Sequence, residues 1–283
     1  MSPALFGTVK SARRCVLEVG TGSEESDSPS PMELALIGVV SCGLTTVLIG
    51  GTARNAVFDH SAMSIEYARK ADGHDAFCRL TATGDVDEAQ VQALVEQMRC
   101  FSPNFATMTG AVPVTLEVDL PDRPDPDLPV TSAADGSEPT TSVNVRWVSG
   151  MQLEADTASG RTRYVDQPKQ VGGADWGPNP QEYLLMALAA DVAQGLLEAT
   201  RERIEAGQRW EVTAVAREDM RGLLLRQYDV VTLQDVTCSV RVPDCLRADP
   251  RTVDLVTEAF RNSTVRDLIA SPHQATVALD PAR

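Results

Sequence analysis

A single cysteine, Cys42, lies near the middle of an apolar, helix-like run, PSPMELALIGVVSCGLTT (residues 29–46). A thiol placed this way can be a nucleophile: its thiolate attacks peroxide oxygens and other electrophiles, and the sulfur can be oxidised to a sulfenic acid and reduced again. The pattern returns much later as PNPQEYLLMALAADVAQG (178–195), but Asp191 stands where the thiol is due. A carboxylate there cannot attack a peroxide. Two readings stay open for it: the hydrogen-bonded remnant of a lost site, or an acid that binds a polar substrate group or carries a proton, with its pKa raised by burial.

Other chemistry-bearing residues cluster around these two runs. Glu33 and Glu182 fall in the first helical turn of each, where a carboxylate also favours the helix dipole. Cys100 is a second thiol, near the end of a predicted helix, and can resolve an oxidised Cys42 or simply pack. Cys15, Cys78, Cys238 and Cys245 sit in or near strand-like runs and read as packing residues. No CxxC pair and no zinc-ligand spacing is present, and His60, His74 and His273 are scattered. No metal and no cofactor is expected. Gly172, Gly173 and Gly177 read as turn glycines, since the dinucleotide spacing is missing. Trp147, Trp176 and Trp210 read as core or pocket walls.

These residues need elements to hold them. Pro29, Pro31 and Glu33 match Pro178, Pro180 and Glu182, and the apolar positions between them coincide. Each long helix is followed by alternating strand-like runs: 62–70 and 76–82 after the first, 210–218 and 235–242 after the second. A second helix follows in each case. Asp87 is the predicted N-cap of one, with Gln90 three residues on; Asp249 is the predicted cap of the other, with Pro250 at its first position. Each copy closes on a short strand, 113–118 and 275–279. The stretch between them, LPDRPDPDLPVTSAADGSEPTT (120–141), is rich in Pro, Asp and Ser and reads as a linker.

The expected architecture is therefore α+β: a half at 1–119 retaining the cysteine, a linker at 120–142, and a half at 143–283 with a degenerate site. Each half combines antiparallel sheet, a long central apolar helix and a second helix. Helices apolar nearly all round need cover on several sides, so the two halves are expected to cover each other as an intramolecular pseudo-dimer. That same reading argues against a membrane span at residues 32–51, whose counterpart carries Asp191, Gln194 and Glu198.

Composition narrows the partners. The chain of 283 residues has 40 acidic and 25 basic residues, a net charge of −15, which repels nucleic-acid phosphates and anionic lipid. Neither nucleic acid nor membrane is expected as a partner. With no predicted signal segment, reduced thiols and a cytoplasmic location are the expectation.

The glycine-rich turn with PNP-E-LL before a central helix, and SPMEL before Cys42, resemble the OsmC/Ohr family, in its OsmC-like branch, duplicated in tandem within one chain. The resemblance implies a thiol-dependent redox protein whose site lies at a subunit interface, reducing organic hydroperoxides without a cofactor. Cys42 then takes the peroxidatic position. The family's resolving Cys-Pro aligns with Ser102 and Pro103, and in the second copy with Ser263. The family's acid directly after the helix-leading proline is replaced by Met32 and Gln181, one residue before Glu33 and Glu182. An activating arginine is implied in the N-terminal strands, where Arg13, Arg14, Arg146, Arg161 and Arg163 are available. Catalytic candidates are thus Cys42, Cys100 and Glu33; candidate substrate contacts are Asp191, Ser102 and Glu182. Expected partners are a small-molecule substrate and a low-molecular-weight thiol or dithiol reductant, and a homodimer is compatible. Two alternatives remain: an enzyme of specialised metabolism using Cys42 as a covalent nucleophile, and a non-catalytic binder of an apolar small molecule.

Overall fold

The computed structural model describes residues 6–9, 29–70, 73–120, 140–158, 162–205, 208–219, 221–222, 231–271 and 273–280. These form a mixed α+β structure with two sheets and, among the described residues, six α-helices.

The capping signals in the sequence set the helix starts. α1 (Pro31–Thr52) begins at Ser30, whose hydroxyl accepts from the Glu33 N–H at 3.2 Å while the Ser30 N–H donates to the Glu33 carboxylate at 2.7 Å. α2 (Glu88–Phe101) begins with the same reciprocal pair from Asp87 and Gln90. Each such cap is worth about 1 kcal/mol. Ser102, with extended backbone (φ −81°, ψ 114°), closes α2 and opens α3 (Pro103–Gly110). The break follows from Pro103, which has no N–H to donate and pushes its predecessor out of the helical region. α4 (Pro180–Thr200) is boxed by Asn179 and Glu182.

In the second copy the sequence expectation is off by two residues. α5 runs from Thr252 to Arg261, not from Pro250. Asp249 accepts from the Arg251 N–H through its side chain and from the Thr252 N–H through its carbonyl, which makes a turn ahead of the helix. α6 (Thr264–Ala270) follows a break at Ser263. The single second helix expected in each copy is thus two helices in both.

The strands are β1 (Phe6–Val9), β2 (Val57–Lys70), β3 (Gly73–Asp85), β4 (Val114–Val118), β5 (Thr141–Ser149), β6 (Gln152–Thr157), β7 (Arg163–Val165), β8 (Glu211–Asp219), β9 (Gln234–Arg241) and β10 (Gln274–Asp280). They make a six-stranded sheet, β10-β3-β2-β5-β6-β7, and a four-stranded sheet, β1-β8-β9-β4. The expected purely antiparallel sheets need correction here. β10 runs parallel to β3, with Ala275 opposite Ala76, and β4 runs parallel to β9, with Thr115 opposite Thr237. Parallel neighbours cannot be joined by a hairpin. In both pairs the partners come from opposite sides of the 120–141 stretch, so neither sheet is made by one side alone.

The long helices fill the space between the sheets. α1 is long and apolar enough to cross a membrane by length and composition, with mean hydropathy 2.1, but 94% of that window is buried inside the fold. It crosses α4 closely at Gly38. A Cβ there would lie 2.7 Å from the Pro180 carbonyl oxygen and 2.9 Å from the Leu184 nitrogen, both backbone atoms that cannot step aside. Asn104 stitches the crossing, its Nδ2 donating to the carbonyls of Gly38 at 3.0 Å and Pro180 at 2.8 Å. Gly38→Ala should therefore cost about 2 kcal/mol of stability, an overpacking penalty read as a lower urea midpoint. An unchanged midpoint would show that the two helices can part freely.

Candidate functional site

Cys42 projects from α1 one helical turn beyond Gly38, and so close to where α4 begins. Its side chain is buried, with 3% of the residue exposed. It forms part of the wall of a cavity of about 480 Å³, together with Ile49, Met151, Val171, Gln181 and Glu218 among others. That volume suits a small organic molecule.

Two polar side chains share the cavity wall with the sulfur, and one of them reaches it. Gln181, in the first turn of α4, has its Nε2 3.7 Å from Cys42 Sγ and donates to Glu218 Oε1 at 2.9 Å. One amide N–H can face the sulfur while the other holds the carboxyl. Glu218, near the end of β8, is 8% exposed. Burial pushes its carboxyl up to about 7. Burial also pushes the Cys42 thiol up to about 12; the Ser102 hydroxyl and the Asn104 backbone N–H act weakly the other way, and the Glu218 charge adds to the rise. The resting sulfur is therefore a neutral thiol, beside a carboxyl that changes charge near neutral pH.

Another part of the wall comes from the segment before α4. Asp166, 1% exposed, accepts from the N–H groups of Gln167 at 2.8 Å, Ala174 at 2.9 Å and Trp176 at 3.1 Å. This pins a tight loop in which Gly173 has no room for a side chain: a Cβ would meet the Gln167 carbonyl oxygen at 1.6 Å. The loop lays Gln167, Pro168, Gln170 and Val171 along the cavity. The turn role read for these glycines fits this arrangement. Trp176, read as core or wall, is instead 73% exposed.

The residues singled out in the sequence do not gather at one site. Cys42 and Ser102 are neighbours: Ser102 is fully buried and its hydroxyl is near enough to lower the Cys42 pKa, but it is not in the wall of the Cys42 cavity. Asp191 lies at a second cavity of about 580 Å³, whose wall also includes Met32 and Ser263. Its Oδ2 accepts from Ser263 Oγ at 2.7 Å, Thr264 Oγ1 at 3.3 Å and the Val265 N–H at 3.0 Å. Glu33 and Glu182 are drawn into their capping boxes, and neither is in the wall of the Cys42 cavity. Cys100 is half-buried on α2 and is likewise outside that wall.

Of the arginines considered, Arg13, Arg14 and Arg161 lie outside the described residues, as does Cys15. Arg146 pairs instead with Glu154 and with Asp156, the latter at 2.5 Å. Among the described residues no cationic side chain is in the wall of the Cys42 cavity.

Sequence reasoning missed Glu218 and undervalued Gln181. A signal for Glu218 was present: Val212, Ala214 and Ala216 alternate along β8, and the same period carries Glu218 to their face. In the sequence Gln181 reads only as the loss of an acid; the structure brings a carboxylate beside it from β8.

No protein-family profile matches the chain, and no curated protein sequence does. Among solved structures, the chain is similar to a Psychrobacter arcticus 273-4 protein named for osmotic stress induction and a detoxification response. The similarity spans 48% of this chain and 93% of that one, at 18% identity and a TM-score of 0.35. So loose an overlap carries no argument about fold or chemistry.

Proposed function

We propose that the chain is a thiol-dependent redox enzyme of OsmC-like fold, with two halves, 1–119 and 143–283, packed as an intramolecular pseudo-dimer about the 120–142 linker. The strand exchange supports the pseudo-dimer. The antiparallel pair β2–β3 takes β5 and β10 from the later part of the chain, and the antiparallel pair β8–β9 takes β1 and β4 from the earlier part. The sites agree with this: Gln181 of one half faces Cys42 of the other, and Met32 shares a cavity wall with Asp191.

The observation that carries the activity is the convergence of Cys42, Gln181 and Glu218 on one cavity of organic-ligand size. In the reaction, the Cys42 sulfur attacks the terminal oxygen of an organic hydroperoxide. The S–O bond forms as the O–O bond breaks, sulfur is oxidised by two electrons, and the peroxide leaves as an alcohol. The thiol proton passes to the Glu218 carboxylate and then to the departing alkoxide. A low-molecular-weight thiol attacks the sulfenic acid, releasing water and leaving a mixed disulfide. A second thiol frees Cys42 and departs as the disulfide of the reductant.

The test is to mix the protein with one equivalent of cumene hydroperoxide in the presence of dimedone and map the adduct by mass spectrometry. Dimedone on Cys42, matched by loss of hydroperoxide, is the expected result. An adduct confined to other cysteines, or none, removes the proposal. A second reading, non-catalytic binding of an apolar molecule, is favoured by the thiol's rise to about 12. It requires ligand binding in the cavity with no Cys42 adduct.

A further inference from the structure

Ser102 stands where the resembled family places its resolving cysteine, and a hydroxyl cannot form a disulfide. Its setting is nonetheless specific. The residue is fully buried, its Oγ has no partner in full hydrogen-bond geometry, and the hydroxyl's only interaction is a distant one with the Cys42 sulfur, shared with the backbone N–H of Asn104 and felt as a lowering of the thiol's pKa. A buried hydroxyl left unpaired costs about 1–3 kcal/mol and needs a reason.

Elsewhere in the chain the same arrangement is filled. Ser263 precedes α6 as Ser102 precedes α3, and Val265 follows Ser263 by the same two positions that separate Asn104 from Ser102. There Ser263 Oγ and the Val265 N–H both donate to Asp191 Oδ2, at 2.7 and 3.0 Å. Asp191 and Cys42 occupy matching places on α4 and α1. In aspartate the bonded oxygen is the second atom beyond Cβ, after Cγ. In a cysteine thiol, sulfur is the first atom beyond Cβ and nothing follows it. The donors around Cys42 therefore have the layout that holds an anionic oxygen on the far side of the first atom, and the thiol does not supply one.

We infer that Ser102 is an oxyanion donor for oxidised Cys42: its hydroxyl and the Asn104 N–H hold the oxygen of a Cys42 sulfenate, the sulfur counterpart of the Asp191 carboxylate. Oxidation adds the missing atom, since attack on a hydroperoxide leaves oxygen bonded to Sγ. When that sulfenic acid loses its proton to solvent, the Cβ–S–O⁻ unit places charge where Cβ–Cγ–Oδ places it in aspartate. Hydrogen bonds to a charged acceptor are the strong ones, and two donors held rigidly at the start of a helix favour the anion. The sulfenate is thereby stored until an external thiol arrives, in place of capture by a second cysteine. This rests on the redox reading of Cys42 and adds the species in which the enzyme waits.

The experiment compares wild type, Ser102→Ala and Ser102→Cys after one equivalent of cumene hydroperoxide. Dimedone added at successive times gives the sulfenic acid lifetime at Cys42, and mass spectrometry gives sulfinic acid. Ser102→Ala is expected to shorten that lifetime by about tenfold and to raise the pH at which the sulfenic acid ionises, read from the pH dependence of dimedone capture. Thermal stability should not fall, because an unpaired buried hydroxyl has been removed. Ser102→Cys is expected to form a disulfide with Cys42 and lose the dimedone adduct. Equal lifetimes and equal ionisation in wild type and Ser102→Ala overturn the inference alone. Failure of Cys42 to oxidise in wild type overturns the redox reading and this inference with it.

Discussion

A Cys42→Ser chain should consume organic hydroperoxide at least about 10³-fold more slowly than wild type while keeping its fold. The substitution exchanges one buried atom for a smaller one in a site that is 3% exposed, and the hydrogen bond from Thr46 Oγ1 to the Cys42 backbone carbonyl survives it. What is lost is sulfur chemistry. A serine hydroxyl has no sulfenic state, so no two-electron step is open to it, and Gln181 and Glu218 are left facing an atom they cannot activate. Cumene hydroperoxide consumption with a dithiol reductant reads the effect, with thermal unfolding to confirm the fold. Cys245→Ser is the matched control, since Cys245 is outside the cavity wall and its sulfur only reaches the Arg203 carbonyl at 3.9 Å. Wild-type turnover in Cys42→Ser would move the chemistry to another group and end every covalent reading of this cavity.

What the sequence discloses about this site divides along the range of the forces involved. Capping is local, and Ser30 with Glu33, Asp87 with Gln90 and Asn179 with Glu182 are all legible because donor and acceptor lie three residues apart. The same logic misplaced the start of α5, because Asp249 satisfies the Arg251 N–H in a turn that resembles a cap until the chain is followed further. Pairing is not local. Nothing within β4 says that it will run beside β9, and the exchange of strands across the linker emerges only when both sheets are closed. Ser102 shows both sides: its place before Pro103 could be read, whereas its unpaired hydroxyl beside the sulfur depends on α3 packing against α1. Glu218 lies between these cases. Strand alternation turns it inward, but only the packing of β8 against the start of α4 gives its carboxyl an amide partner.

That partner does not compensate fully for burial, and the consequence is a pH-dependent stability. The Glu218 carboxyl, ordinarily near 4.5, is pushed up to about 7 by desolvation. Below pH 4.5 it is neutral in the folded and the unfolded chain alike, and its burial carries no charge penalty. As pH rises, the unfolded chain ionises first, while the folded chain holds the proton until about pH 7. The stability this group leaves intact in acid is therefore lost as pH rises from 4.5 to 7, by about 3 kcal/mol at 1.36 kcal/mol per pKa unit. Asp219, held below the usual carboxylate range by its hydrogen bonds to Arg221, acts in the opposite sense, losing stability as pH falls. The wild-type profile is a sum of such terms, so the Glu218 contribution is read as a difference. Glu218→Gln keeps the shape and an acceptor for Gln181 Nε2 but has no charge to bury. Urea midpoints at pH 4.5, 5.5, 7 and 8 should show the variant gaining on wild type by about 3 kcal/mol across that window, with a level difference above it. Parallel profiles would mean that Glu218 ionises like a solvated carboxylate, and it would then lose its place as the group that takes the Cys42 proton near neutral pH.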